Sequence, residues 1–169
     1  MPKHADYNVI VPDSVFAPAA SGGLILIAGL LGLAFHRPWL FASLGPTAFQ
    51  LAEYPEQKSS RVYNVLVGHY IGLAMGFAAV ALMNSWGAPN VLATHDLTAI
   101  RIWAAVIAMV LTSGVIVALR ASHPPAGATA LLVALGSFNT WHDAITVVAG
   151  VAIVGVLGEI LRFVRLRSK

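Results

Sequence analysis

The chain has 169 residues, of which 58% are hydrophobic and only 10% are charged, and its mean hydropathy is +0.79. These values lie outside the range of soluble domains and indicate an integral membrane protein, while the absence of cysteine excludes disulfides, thiolate catalysis and cysteine metal sites. The net charge of +3 is concentrated near the C-terminus, which is typical of a cytoplasmic anchor beside a membrane helix rather than of a nucleic-acid patch.

Six stretches without Asp, Glu, Lys or Arg mark the candidate membrane segments. They cover residues 14–36, 38–52, 62–95, 102–119, 121–142 and 144–158. A bilayer core about 30 Å thick needs roughly 20 apolar helical residues, so the longer stretches qualify as spanning helices and the shorter ones need further argument. The helices of a soluble bundle would instead carry a polar face, which these stretches lack.

In chain order we predict six helices, with a short one between two long ones in each half. The first half has helices at about 19–35, 38–52 and 62–83, and the second at about 97–120, 124–138 and 143–164. A loop at 84–96, rich in Gly, Pro and Asn, separates the halves. The predicted fold is an all-α membrane protein with four long plus two short helices.

The sequence Ala-Ser-x-x-Pro interrupts an apolar run twice, 79 residues apart, at residues 42–46 and 121–125. A residue before proline is pushed out of the helical region, while proline is favoured at the first position of a helix. Each copy should therefore end one helix and start another. When the first half is shifted by 79 residues, its two long helices align with the long helices of the second half, and its short helix aligns with the short one. We predict a duplicated three-segment repeat of long helix, short broken helix and long helix, with repeat 1 at about 19–83 and repeat 2 at about 97–164.

The number of crossings sets the symmetry of this repeat. If the short helices cross the membrane, each half has three crossings and the halves are inverted; if they dip in and return, the halves are parallel. With a cytoplasmic C-terminus, six crossings place eight of the ten basic residues inside, whereas four crossings place six there. We therefore expect an inverted repeat, although a helix of 15 residues rises only about 22 Å.

The predicted domain organisation is simple. Residues 1–18 form an N-terminal segment, residues 19–165 a single transmembrane domain, and residues 166–169 a basic tail. The charge asymmetry places the C-terminus in the cytoplasm, and we expect the protein in a bacterial inner (plasma) membrane.

Several of these segments resemble the HPP family of small integral membrane proteins, named for His-Pro-Pro. The resemblance lies in Ser-His-Pro-Pro-Ala-Gly-Ala-Thr-Ala at 122–130, in Ser-Leu-Gly-Pro-Thr-Ala at 43–48 and in Asn64 to His69, and it covers roughly residues 20–165. It implies a compact polytopic membrane domain, proposed to transport small solutes, with plastid and cyanobacterial relatives associated with nitrite.

The two motifs suit a small-anion site. A helix that begins inside the membrane presents unpaired N–H groups and the positive end of its dipole, which favour an anion. The expected substrate-binding residues supply N–H groups, hydroxyls or room for close approach at the two helix starts: Ser43, Gly45, Thr47, Ser122, His123, Ala126, Gly127 and Ala128. His123 would carry a proton or bind the anion. The alternative is that these prolines and glycines only shape a tight helix packing.

Four further polar residues are candidates for a proton or polar pathway, namely Asn64, His69, Arg120 and Glu159. His69 lies about two turns into the third helix, where an ionisable residue is a functional candidate, or else bonds a neighbouring carbonyl. Glu159 has Arg162 one turn away, so pairing between them is the competing interpretation. Arg120 either neutralises an anion at the entrance or lies at the cytoplasmic interface.

Two functions from different classes remain open. The first is a transporter or channel for a small inorganic anion, nitrite-like, bound between the two half-helix starts near the bilayer midplane. The second is a non-transporting membrane sensor or scaffold that acts through a partner. We expect no enzymatic activity, because the histidines lack metal-site spacing and no nucleophile elbow or phosphate loop is present.

The expected partners follow from the same reasoning. They are the lipid bilayer, the small anion and further copies of the chain in a homo-oligomer, because neighbours would seal the outer faces of so small a bundle. We expect no cofactor, no metal and no nucleic acid.

Overall fold

The computed structural model describes residues 11–167, and the regular elements within them are all helical. Seven α-helices follow in chain order: α1 (Asp13–Ala34), α2 (Leu44–Glu53), α3 (Val62–Leu82), α4 (Val91–Thr94), α5 (Ala99–Ala118), α6 (Ala126–Ala134) and α7 (Trp141–Arg167). α1, α3, α5 and α7 are long and apolar enough to cross a membrane. The prediction of an all-α membrane fold with four long and two short helices is confirmed, and α4 is an additional single turn in the loop between the halves.

Two helices, α1 and α2, begin six residues away from the predicted position, and both differences have a physical reason. α1 begins at Asp13 rather than near residue 19. A carboxylate is favourable in the first turn of a helix, so a charged residue at this position does not exclude it from the helix. α2 begins at Leu44 rather than near Pro38, because a helix that began at Pro38 would place Pro46 in its interior, where proline disrupts a helix. Pro46 stands third in α2, where its missing N–H has no partner within the helix in any case.

Contacts between the helices show which segments share an end of the bundle. Arg165 of α7 donates to Asp13 of α1, and Arg162 of α7 donates to the carbonyl of Pro55. The start of α1, the loop before α3 and the C-terminal part of α7 therefore lie together. We call this the basic end, because it holds most of the basic residues: Lys58, Arg61, Arg120, Arg162, Arg165 and Arg167.

The short helix of the first half runs back along α1 to this basic end. Leu40, in the non-helical stretch before α2, lies against Gly29 near the end of α1. At the other end of α2, Glu53 and Asp13 line the same cavity. Residues 37–53 therefore return along nearly the whole length of α1.

The short helix of the second half runs in the same way along α5. It leaves the basic end, where Ser122 accepts a hydrogen bond from Asn64 near the start of α3. It finishes where the carbonyl of Ala134 accepts from Arg101 at the start of α5. The chain thus passes along the bundle six times; that the halves form an inverted repeat and that both short segments cross the bilayer stay predictions.

Glycines on α3 let α6 pack against it closely. Gly68, Gly72 and Gly76 are spaced four residues apart and are all buried. A Cβ added at Gly68 would lie 3.0 Å from the Cβ of His123, and one added at Gly72 would overlap the carbonyl oxygen of Ala126. This stripe therefore makes an internal contact, and the contact sets the start of α6 beside the polar residues of α3.

Candidate functional site

Five buried polar side chains form one group of close polar contacts, which we call the two-histidine cluster. They come from α2, α3, α6 and the residues just before α2 and α6: Ser43, Thr47, His69, His123 and Thr129. None of them is more than 1% exposed. Both broken helices contribute, and α3 supplies the histidine between them. The cluster lies inside the bundle and not at its surface.

The bonds of the cluster run in a single chain. The Ser43 Oγ lies 2.7 Å from the Thr129 Oγ1, which lies 2.7 Å from the Nδ1 of His69. On its other side, the Nε2 of His69 is 2.9 Å from the Thr47 Oγ1, and the same oxygen is 3.3 Å from the Nε2 of His123. The two imidazole ring centres are 5.0 Å apart. Two histidines from different segments therefore share one hydroxyl group.

Two main-chain carbonyls hold this chain in place. The hydroxyl of Thr47 donates to the carbonyl oxygen of Ser43 at 2.8 Å, and the Nδ1 of His123 donates to the carbonyl oxygen of Ser59 at 2.8 Å. Beside them, the amide of Asn64 donates to the carbonyl oxygen of Ser122 at 3.0 Å. The imidazole of His123 is thereby fixed between the loop before α3 and the start of α2.

A cavity of about 720 Å³ adjoins the cluster at the basic end. Residues of both motifs line it: Pro46, Ser122, Pro124, Pro125 and Ala128. The rest of its lining is mostly polar but uncharged: Phe49, Gln50, Tyr54, Gln57 and Ser59. Because Ser59 lines the cavity and also accepts the hydrogen bond from His123, the cluster lies directly behind the cavity wall.

Half of the residues expected at the site belong to this cluster or cavity. Ser43, Thr47 and His123 meet in the cluster, together with the pathway candidate His69. Ser122 and Ala128 line the cavity, and Asn64 bonds the carbonyl of Ser122. The fold therefore brings together residues that lie up to 86 positions apart in the chain.

The expected backbone donors differ from what the structure shows. The N–H groups of three residues at the start of α6 each donate to a carbonyl three positions earlier: Ala126, Gly127 and Ala128. The expectation of unpaired donors at this helix start is therefore wrong, because a tight turn through His123, Pro124 and Pro125 already uses them. Gly45 is exposed and lines a different cavity beside Leu40, so it lies away from the cluster.

Glu159 and Arg120 also lie outside the cluster. The Oε1 of Glu159 is 2.8 Å from Arg162, and its Oε2 accepts from the main-chain N–H of Val62 at 3.0 Å. The pairing with Arg162 that the sequence suggested is thus present, and it ties α7 to the loop that carries Ser59. Arg120 is exposed, with a left-handed backbone at φ 53°.

Sequence reasoning missed two residues of the site, Thr129 and Ser59. Thr129 lies in the motif run, and its hydroxyl in an apolar helix was a usable sign, since such groups tend to bond across helices. Ser59 takes part through its main-chain carbonyl, which no side-chain pattern reveals. Among residues 11–167, no group of three or more His, Asp or Glu side chains is placed to hold a metal ion.

Comparison with known protein families identifies the family of this chain. The family model described as "HPP, transmembrane region" matches residues 9–168. No curated protein and no solved structure matches the chain. The matched region contains both motifs, the two-histidine cluster and the cavity beside it.

Proposed function

The chain belongs to the HPP family of membrane proteins, and from its site we propose that it transports a small inorganic anion, nitrite-like, together with a proton. The observation that carries this proposal is the buried pair of histidines that share Thr47 behind the cavity wall. The site lies where the two broken helices meet. In this proposal the histidines bind the proton, and the cavity binds the anion.

Histidine suits proton coupling because an imidazole can exist both neutral and protonated, and an anion beside it would offset the cost that burial imposes on the protonated form. Two imidazoles with ring centres 5.0 Å apart, inside one hydrogen-bonded chain, offer a proton a defined place between helices. A packing role alone would not require two ionisable groups at this depth, since such groups are costly in a membrane protein.

An anion that moves together with the proton would compensate its positive charge. A buried imidazolium needs a compensating negative charge, and none of the described residues that line the cavity carries a carboxylate. An anion in the cavity would supply that charge, and the neutral pair of proton and anion would cross at a lower cost than either charge alone. Hydroxyl and amide groups of Tyr54, Gln57 and Ser122 are available around the cavity to orient it.

The orientation follows from the charges. Most of the basic residues in the described part of the chain lie at the end of the bundle where the cavity opens, and the positive-inside rule supports a cytoplasmic position for that end. We therefore propose a cytoplasmic C-terminus in a bacterial inner membrane, with the cavity facing the cytoplasm.

Flux measurements in liposomes test this function. Purified protein should give saturable uptake of at least one anion among nitrite, nitrate, formate and chloride. The H123N variant should lower the rate by about tenfold or more, the equivalent of one lost hydrogen bond to a charged group. H95N is the matched control: His95 is exposed and has a left-handed backbone that asparagine tolerates. Absence of flux for all four anions with folded protein would refute transport and favour a sensor or scaffold.

A further inference from the structure

We propose that the Nε2 of His123 is the one atom of the two-histidine cluster that takes the transported proton, and that Thr47 is the positioning residue for it. This inference rests on the proposed function, since it gives the proton step its atom. It follows from counting the protons that the cluster already holds. Two main-chain carbonyls fix that count, because a carbonyl oxygen only accepts hydrogen bonds.

The first carbonyl fixes His123. Its Nδ1 lies 2.8 Å from the carbonyl oxygen of Ser59, so the Nδ1 must carry a hydrogen. A neutral imidazole has one N–H, and the Nε2 of His123 therefore carries none. In the neutral state this nitrogen offers only a lone pair.

The second carbonyl fixes the rest of the cluster. The hydroxyl of Thr47 lies 2.8 Å from the carbonyl oxygen of Ser43 and must donate its single hydrogen there. The 2.9 Å bond to His69 then requires that the Nε2 of His69 donates to Thr47. The Nδ1 of His69 in turn accepts from Thr129, whose hydroxyl accepts from Ser43.

In one contact of the cluster, no hydrogen lies between the two polar atoms. The Oγ1 of Thr47 and the Nε2 of His123 face each other at 3.3 Å, the longest contact of the chain, and in this assignment both are acceptors. A single proton on the Nε2 of His123 completes the cluster, because the Thr47 oxygen then accepts from both imidazoles. No other group needs to move.

Protonation of His69 would be more disruptive. A hydrogen on its Nδ1 would point at the hydroxyl of Thr129, which already donates to that nitrogen. Thr129 would have to turn its hydrogen toward Ser43, and the hydrogen of Ser43 would have to turn away in its place. Two buried hydroxyls would thus reorient, whereas protonation of His123 requires neither.

Among residues 11–167, few other charges lie near His123. The Glu159–Arg162 pair of α7 reaches this region through the N–H of Val62 and is already paired. His69 is the titratable group of α3 that contacts it through Thr47, and α5 ends close by at Arg120, which is exposed. The loop before α3 carries four exposed titratable groups: Tyr54, Glu56, Lys58 and Arg61. Each lies at the basic end and not in the cluster, so the hydrogen-bond pattern decides which imidazole is charged.

The proton step balances without a further reactant. The acid is either hydronium or the protonated form of the carried anion. As the N–H bond forms at the Nε2 of His123, the O–H bond of the acid breaks, and its electron pair stays on the conjugate base. When the protonated form of the anion is the acid, that base is the anion itself, left in the cavity beside the imidazolium.

Nitrogen-15 NMR of histidine-labelled full-length protein in lipid nanodiscs tests the assignment. At neutral pH, one buried histidine should carry its hydrogen on Nδ1 and the other on Nε2. H123N and H69Q each remove one set of signals and so identify them. On acidification, the bare Nε2 of His123 should shift to the protonated position before either nitrogen of His69 changes. A hydrogen on the Nε2 of neutral His123, or earlier protonation of His69, would overturn the proposal.

Thr47 gives a second readout that does not depend on the histidine variants. T47S keeps the oxygen and should preserve the order of protonation. T47V removes the acceptor, so the shift of the His123 Nε2 should move to lower pH by a measurable amount. An unchanged titration in T47V would contradict the role of Thr47. Because these spectra need no transport, correct tautomers without flux would refute only the proposed function, and flux with the wrong tautomers would refute only this inference.

Discussion

At the scale of single residues, the site depends on hydroxyl groups that join histidines from different segments. Thr129 bonds Ser43 and His69, Thr47 bonds His69 and faces His123, and both threonines are fully buried. A buried polar group without a partner lowers the free energy of unfolding by about 1 to 3 kcal/mol. Loss of either hydroxyl would leave such a group. The cluster is therefore both the proposed site and part of what holds α2 against α6.

Replacement of Thr129 by valine should lower the free energy of unfolding by about 1 to 3 kcal/mol, because both His69 and Ser43 lose a partner. T129S keeps the hydroxyl and should retain most of the stability. Thermal or denaturant unfolding of the purified protein in detergent measures both variants. Equal stability of T129V and the parent would contradict the cluster as described.

Sequence reasoning reached part of the site at this scale. His123, Thr47 and Ser43 stand in the two motifs, and His69 drew attention as an ionisable group deep in an apolar helix. Their pairing could not be predicted, because it depends on how α2 lies against α6, and residues 76 positions apart in sequence meet there. The carbonyl of Ser59 carries no side-chain pattern at all.

At the scale of helices, close packing of α6 on α3 positions the site. Gly72 faces the carbonyl of Ala126, and Gly68 faces His123 itself. Any side chain at these glycines would push the start of α6, and with it His123, away from α3.

G72A should therefore be destabilising by about 1 to 3 kcal/mol, as expected when a packed interior receives an extra carbon. The matched control is G114A on α5, where an added Cβ meets nothing within 4 Å. That variant should keep or raise the stability, since alanine favours a helix over glycine. Unfolding of both variants in detergent gives the comparison, and equal losses would argue against close contact of α3 and α6.

Arg101 secures the opposite end of α6. It is 2% exposed, and its guanidinium donates to the carbonyl oxygens of Pro89, Ala134 and Ala88 at 3.0, 3.0 and 2.6 Å. Gly136 packs directly against the guanidinium of Arg101. Its φ of 86° is a backbone conformation that favours glycine. The planar fork of arginine suits three carbonyls at once, which the point charge of lysine does not.

R101K should therefore cost at least about 1.5 kcal/mol, the lower value for one lost hydrogen bond to a charged group. R37K, at an exposed arginine of the same end, should change little. The midpoint of unfolding in detergent distinguishes the two. An unchanged midpoint of unfolding in R101K would show that a positive charge at position 101 is enough to hold this end of α6 without the planar guanidinium.

At the scale of the whole molecule, residues 11–167 pass along the bundle six times and return to the basic end. The sequence allowed prediction of the four long helices, of both short ones and of the charge asymmetry, since these are properties of local composition. α1 begins six residues earlier than predicted, because an exposed carboxylate such as that of Asp13 is favourable in the first turn of a helix.

Cysteine labelling tests the predicted crossings, and the chain has no cysteine of its own. Single cysteines at Gln57 and Arg167 should react with an impermeant reagent from the cytoplasmic side. Those at Val91 and Asn139 should react from the opposite side. Labelling of position 57 together with position 139 from outside would rule out six crossings and the inverted repeat.

The most direct test of the central claim is the proton-to-anion ratio during uptake. Liposomes that contain the protein and a pH dye receive a gradient of nitrate or chloride, anions that do not cross lipid as neutral acids. Coupled transport through His123 predicts internal acidification in step with anion entry, no charging of the membrane, and loss of both signals in H123N. Anion entry that charges the membrane and leaves the internal pH unchanged would contradict it.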